Sequence, residues 1–266
     1  MYPHSASCTS RLYAGIFWPS TFLFPNLPDR CPWCSVLRKP PLPTALANGT
    51  GAVVNGILYV IGGGSTSTVV DTVYAYHPST NTWTTEATMP TARASIGSAV
   101  KSGLIYVIGG VNGDGVTRLS TNESYNPGTN TWTSEASMLV GKSEVAVGLL
   151  GSTIVAAGGY TTSGDTGDNE GYNSTTNSWK SLATEATPLH DSCSGVINGI
   201  MYMAGGGLTP PSTNQSYNLS TNKWSSLSAM PVATTAPGYA VANGQLFCFG
   251  GGDSTGGTGG NFYNNV

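Results

Sequence analysis

The chain has 266 residues, of which 9% are charged, and a net charge of -3. Charge this sparse leaves no basic face to neutralise phosphates, so nucleic acid is excluded as a partner, and solubility must come from hydroxyl and amide groups. No apolar run reaches the roughly 18 residues that a membrane span requires, so none is expected.

Residues 1 to 40 match nothing later in the chain and read as an atypical leader. Arg11 and the apolar run Leu12 to Trp18 resemble the start of an export signal, but Pro19, Ser20 and Pro25 interrupt it and no small-x-small cleavage site follows. Leader, unprocessed signal and translation artefact stay open. Of the five cysteines, Cys31 and Cys34 form a CxxC. It has neither a second ligand pair for zinc nor a strand-to-helix setting for redox work. Cys193 and Cys248 fall within expected strands and read as buried free thiols.

From residue 41 to 266 the chain is an array. Asn55-Gly56-Ile57-Leu58-Tyr59-Val60-Ile61-Gly62-Gly63 returns, reworded, at Ser102 to Gly110, Gly151 to Gly159, Asn198 to Gly206 and Asn243 to Gly251. Asn-Gly pairs tolerate positive φ at both turn positions, so each copy predicts a tight hairpin between strands a and b. Glycine at the end of strand b predicts a close neighbour there, and a large ring is the natural candidate. A variable loop follows, and then a tyrosine with a tryptophan seven residues later: Tyr76 and Trp83, Tyr125 and Trp132, Tyr172 and Trp179, Tyr217 and Trp224. The Pro-, Asn- and Ser-rich residues between them predict a turn joining strands c and d.

Four short strands per unit of 45 to 49 residues, with no helical periodicity, describe the blades of a β-propeller. The glycine doublets and paired Tyr and Trp resemble the kelch repeats, the propeller type shared with galactose oxidase. The resemblance implies an all-β fold of five four-stranded blades. Blade three departs from the pattern, with Val155 in place of the strand-b aromatic, and is expected to be looser. Blade five has Tyr263 but ends at Val266, before a matching tryptophan. Residues near Arg30 to Val36, carrying Trp33, are expected to supply the missing outer strand; the rival reading is part of a six- or seven-bladed ring.

In such a blade the b–c loops and d–a connections open on one face, the a–b and c–d turns on the other. Loops of variable length on a rigid scaffold are where recognition sits, so a ligand is expected on the first face. Arg93, Lys142 and His190 lie just past strand d, while Asp114, Arg118 and Asp165 lie in b–c loops beside Tyr160. Arg93 and Arg118 are the expected anchors, because a guanidinium makes planar, bidentate contacts to carboxylates or sugar hydroxyls.

Asp165, Asp168 and Glu170 offer oxygen ligands for a hard cation, but their spacing fits no known loop, and neither metal nor cofactor is expected. A copper oxidase of the galactose oxidase type would need two histidines beside tyrosines, and His4, His77 and His190 do not converge on one face. The glycine runs Gly62 to Gly64 and Gly256 to Gly260 lack the helix that phosphate cradling needs. Five sequons, at Asn48, Asn122, Asn173, Asn214 and Asn218, are what chance gives in a chain rich in Asn, Ser and Thr. The expectation is therefore a monomeric kelch binding module for a protein or glycan, leaning toward an exported protein. The alternative is a small-sugar isomerase, mutarotase or lyase using the axial pocket, set second because no converged His, Asp and Glu cluster is legible.

Overall fold

A computed structural model describes residues 39–64, 68–207 and 212–253, and the helix-free architecture of these residues is a succession of antiparallel sheets. Blade one comprises β1 (Thr50–Val54), β2 (Ile57–Ile61), β3 (Val73–His77) and β4 (Thr82–Thr85). Blade two comprises β5 (Gly97–Lys101), β6 (Leu104–Ile108), β7 (Asn122–Asn126) and β8 (Thr131–Ser134). Blade three has β9 (Ala146–Leu150) and β10 (Thr153–Ala157), a small hairpin of β11 (Tyr160–Thr161) and β12 (Gly164–Asp165), then β13 (Asn169–Asn173) and β14 (Ser178–Ser181). Blade four comprises β15 (Cys193–Ile197), β16 (Ile200–Ala204), β17 (Asn214–Asn218) and β18 (Lys223–Ser226), and blade five shows β19 (Gly238–Ala242) and β20 (Gln245–Phe249). In blades one to four the four main strands pair in chain order. The expected pairing of Trp33 with Tyr263 lies outside the described residues.

The turn chemistry is as the sequence dictates: Asn55 and Gly56 have φ of 50° and 78°, so β1 and β2 stay in register from Val54↔Ile57 to Thr50↔Ile61. Blade three is not looser. Val155 is fully buried, and β10 pairs along its length with β9 and β13. The doublet glycines need a different explanation from the expected ring. Gly109 and Gly110 have φ of 68° and 109°, and a Cβ on either would stand within 2.4–2.6 Å of the backbone oxygens of Lys142 or Ala94. Positive φ and a close-packed neighbouring backbone, not an aromatic face, exclude a side chain there.

The core is not central but repeats between blades. One cluster joins Tyr59, Ile61 and Met89 of blade one to Ile105, Val107 and Tyr125 of blade two, and equivalent clusters join blades two to three and three to four. The Tyr–Trp pairs clamp these interfaces. Trp132 Nε1 donates to Ala87 O at 2.9 Å, while Ala87 N donates to Asn130 Oδ1 at 2.8 Å. Tyr125 Oη also donates to that oxygen, at 2.7 Å, so one amide carbonyl serves two blades. The same arrangement recurs at Ala136 with Asn177 and Trp179, and at Ala183 with Asn222 and Trp224.

The cysteine expectation is corrected. Cys193 on β15 and Cys248 on β20 are joined as a disulfide across the interface of blades four and five. Two strand positions 55 residues apart carry no spacing signal, but neighbouring blades bring their Cα atoms to 5.8 Å, within bridging range.

Candidate functional site at the axial mouth

The first strands of successive blades, β1, β5, β9, β15 and β19, neighbour one another in turn and so form an arc about the axis. Two residues before each strand stands one residue with a left-handed backbone: Asn48, Ser95, Glu144, Asp191 and Ala236, with φ between 48° and 57°. Their peptide groups link blade to blade. Ser95 N donates to Asn48 O at 2.7 Å, Glu144 N to Ser95 O at 2.8 Å, Asp191 N to Glu144 O at 3.3 Å and Ala236 N to Asp191 O at 3.0 Å. Only short polar side chains tolerate this conformation readily, so holding a glutamate and an alanine there costs on the order of 1–2 kcal/mol each, met by the inter-blade bonds. The d–a connections thus form an arc of residues around one mouth of the axis, and Glu144 and Asp191 bring carboxylates to it.

Four of the expected site residues converge on that arc. The β11–β12 hairpin pairs Tyr160 with Asp165, and Tyr160 is bonded in both directions to Ser143, next to Glu144. The Tyr160 ring meets His190 edge-on at 5.0 Å between centroids, and Arg118 lies over the same ring, with Cζ 5.3 Å from the centroid. A guanidinium over an aromatic face gains cation–π attraction. Carbonyl oxygens of its own loop, Gly115 O at 3.1 Å and Val116 O at 3.0 Å, hold Arg118 in place. His190 is 2% exposed; its Nδ1 stands 2.6 Å from Asp165 Oδ1 and its Nε2 3.9 Å from Glu144 Oε2.

Burial raises the Glu144 carboxyl above the usual range and the neighbouring Asp191 raises it further, against the opposing pull of His190 and Arg118. Asp191 is likewise raised by burial, with His190 opposing. Two carboxyls that hold protons more tightly than usual beside an imidazole can bind a cation, or exchange protons with a bound molecule. The expectation that no His, Asp and Glu cluster converges is therefore corrected. Glu144 and Asp191 were missed because neither lies in a motif, yet both stand fifteen residues before the second glycine of their doublets, the position of Asn48, Ser95 and Ala236.

Arg93 and Lys142 do not reach the mouth. Both are fully buried. Arg93 is bound to Glu123 and to Val107 O at 2.9 Å; Lys142 Nζ donates to Asp168 O at 2.8 Å and to Ala156 O at 3.2 Å, with Glu170 Oε1 at 3.4 Å. Burial lowers the pKa of each cation, and the partner carboxylate opposes that. These pairs tie the d–a connection to the third strand of the same blade, which leaves neither side chain any surface to offer a ligand. Asp114 also stands apart. Its carboxylate accepts from Thr117 Oγ1 and from the amides of Thr117 and Val116, which holds it down at about 2 and shapes the loop that presents Arg118.

Asp168 and Glu170 take structural duties with Thr166 and Lys142, so the acidic trio around Asp165 does not assemble. A cavity of about 510 Å³ lined by Leu150, Ser152, Asn198 and Leu219 opens on the face of the turns and contains none of these groups. Another, of about 660 Å³, runs along Leu227, Ala229 and Met230, the stretch that in earlier blades takes the next blade's tryptophan.

The Kelch motif matches residues 45–90, 92–139 and 188–231, more than half of the chain. The chain belongs to the kelch family. The solved structure of YjhT resembles this kelch chain with a TM-score of 0.70 at 20% identity, over 82% of this chain and 84% of that one, a likeness of fold. No curated protein matches the chain in sequence. No helix of the described residues is long and apolar enough to cross a membrane.

Proposed function

We propose that this kelch chain is a binding module that takes a protein or glycan partner at the axial mouth, on the face of the b–c loops and d–a connections. The observation that carries the reading is Arg118 over the Tyr160 ring, whose edge meets His190 backed by Asp165, on a surface of loops and one short hairpin held by rigid sheets. Arg118 and Tyr160 are the contact residues, since a guanidinium beside an aromatic face suits a carboxylate or a sugar ring with its hydroxyls. His190 and Asp165 position Tyr160, while Asp114 shapes the Arg118 loop. Arg93 and Lys142 hold the frame. The Cys193–Cys248 bridge supports an oxidising setting, in keeping with an exported protein.

A glycan array and a pull-down run with the wild-type chain and with Arg118→Ala/Tyr160→Ala test this. The double substitution is expected to weaken any retained ligand at least tenfold, whereas Lys180→Ala, exposed on β14, leaves it unchanged. Equal retention by all three refutes the assignment. The second reading, a sugar isomerase, mutarotase or lyase at the same mouth, is favoured by one observation: two carboxyls with raised affinity for protons beside His190. Exchange spectroscopy on reducing sugars with wild type and Glu144→Gln decides it; rates that do not exceed the uncatalysed ones in wild type remove it.

A further inference from the structure

The acidic residues at the axial mouth surround an imidazole whose hydrogen-bonding capacity is unused. His190 is 2% exposed, and its Nδ1 makes no hydrogen bond, because Asp165 Oδ1, although 2.6 Å away, lies off the line of the ring N–H. Nε2 makes none either among the described residues; it faces Glu144 Oε2 at 3.9 Å. Buried polar nitrogens are nearly always paired, so an imidazole left in this state calls for a partner of another kind. The donor atoms of Glu144, His190 and Asp191 all lie within 4.8 Å of one another.

We propose that Glu144, His190 and Asp191 bind a divalent transition ion of the Zn²⁺ class, with Asp165 orienting the imidazole. A tetrahedral zinc ion with bonds of about 2.0–2.1 Å sets its ligands roughly 3.3 Å apart, so the 3.9 Å between Glu144 Oε2 and His190 Nε2 needs only a small rotation of the partly exposed Glu144 side chain. One nitrogen and two carboxylates suit zinc or cobalt better than calcium, which prefers six to eight oxygens. A carboxylate beside the non-ligating ring nitrogen is the usual support for a metal-bound histidine, and Asp165 Oδ1, 2.6 Å from Nδ1, is close enough to give it once the ring turns into line. The backbone favours the site as well. The blade-to-blade bond from Asp191 N to Glu144 O fixes the spacing of two of the three ligands before any ion arrives. Three protein donors leave a coordination position for water or for an oxygen of a bound partner. The ion is read with no partner present, so this inference and the docking reading fail separately.

The test is titration of the full chain, stripped with a chelator and carrying Cys8→Ser, Cys31→Ser and Cys34→Ser so that the N-terminal thiols cannot compete, with ZnCl₂ by calorimetry near pH 7. One equivalent is expected to bind, with CaCl₂ giving no comparable heat. Glu144→Gln and Asp191→Asn, each checked for native circular dichroism, are expected to weaken zinc at least tenfold. Co²⁺ in place of zinc is expected to give visible bands of a nitrogen and oxygen site without thiolate charge transfer. Zinc binding unchanged in both variants, or calcium bound as tightly as zinc, overturns the proposal.

Discussion

Replacing Glu185 with methionine is expected to abolish a loss of stability that develops between about pH 4.5 and pH 8. Glu185 stands twenty-one residues before the second glycine of its doublet, where the other units have Met89, Met138 and Met230. The spatial equivalence is close: the tips of the three methionines lie 2.8–3.2 Å from a Cβ built on Gly62, Gly109 and Gly205, and Glu185 Oε1 lies 2.8 Å from one built on Gly158. A carboxyl group thus occupies a thioether's place in the interface of blades three and four, 5% exposed. Burial pushes it up to about 8 from an ordinary 4.5, against the opposing effects of Lys142 and of hydrogen bonds from Leu189 N and Gln215.

The folded state therefore binds this proton more tightly than the unfolded chain. The contribution to stability is fully present below about pH 4.5 and is lost as pH rises through about 8. A gap of about 3.5 pH units at 1.36 kcal/mol each sets the loss at no more than about 5 kcal/mol. Gln215 Nε2 retains Thr187 O as an acceptor at 3.1 Å in the variant, whereas Leu189 N loses its carboxyl acceptor, a cost that is the same at every pH. Denaturant unfolding of wild type and Glu185→Met between pH 5 and pH 9 reads the difference directly, because other titrating groups contribute equally to both. Between pH 5 and pH 9 wild type is expected to lose roughly 3–5 kcal/mol relative to the variant, whatever constant offset separates the two at pH 5. Parallel curves across that range would refute the reasoning.

Lys142→Ala leaves Glu170 buried without its cation and is expected to cost about 3–5 kcal/mol, whereas Arg118→Ala at the mouth costs less than about 1 kcal/mol, as thermal unfolding of both will register. Asn130→Gly keeps the left-handed backbone but removes the carbonyl that accepts from Tyr125 and Ala87, for a loss of about 1–3 kcal/mol. Trp132 is half-buried and loses its bond to Ala87 O as well, so Trp132→Ala is expected to cost about 3 kcal/mol. Cys248→Ser opens a loop of 55 residues and is expected to cost about 2–4 kcal/mol, matched by adding a reductant to wild type; no change under reductant would mean the pair is not joined.

The sheets were legible because their signals are local and repeated. Asn-Gly turns, glycine doublets and the Tyr-to-Trp spacing each depend on residues within one blade, and recurrence in phase separates them from chance. Contacts between blades were less so. The disulfide joins residues whose only relation is that two blades are adjacent, and the clamp at Asn130 needs the turn of one blade and the outer end of another. At the mouth, the sequence places Arg93 and Lys142 correctly just past strand d but does not show that Glu123 and Glu170 draw both inward. Those glutamates stand two residues before Tyr125 and Tyr172, so the recurring pair of a cation before strand a and an acid on strand c was the available signal. Glu144 and Asp191 escaped notice because nothing in their chemistry marks a left-handed backbone; only the constant distance to the doublet does.

The most direct test of a ligand site at the axial mouth is hydrogen exchange on the chain with and without a partner recovered from the array or the pull-down. Binding is expected to protect the amides of residues 114–118, 160–165 and 189–191, which belong to three different loops and meet only at that mouth. Protection confined to the opposite face, at the turns of Asn55-Gly56, Asn198-Gly199 or Asn126 to Asn130, would contradict it.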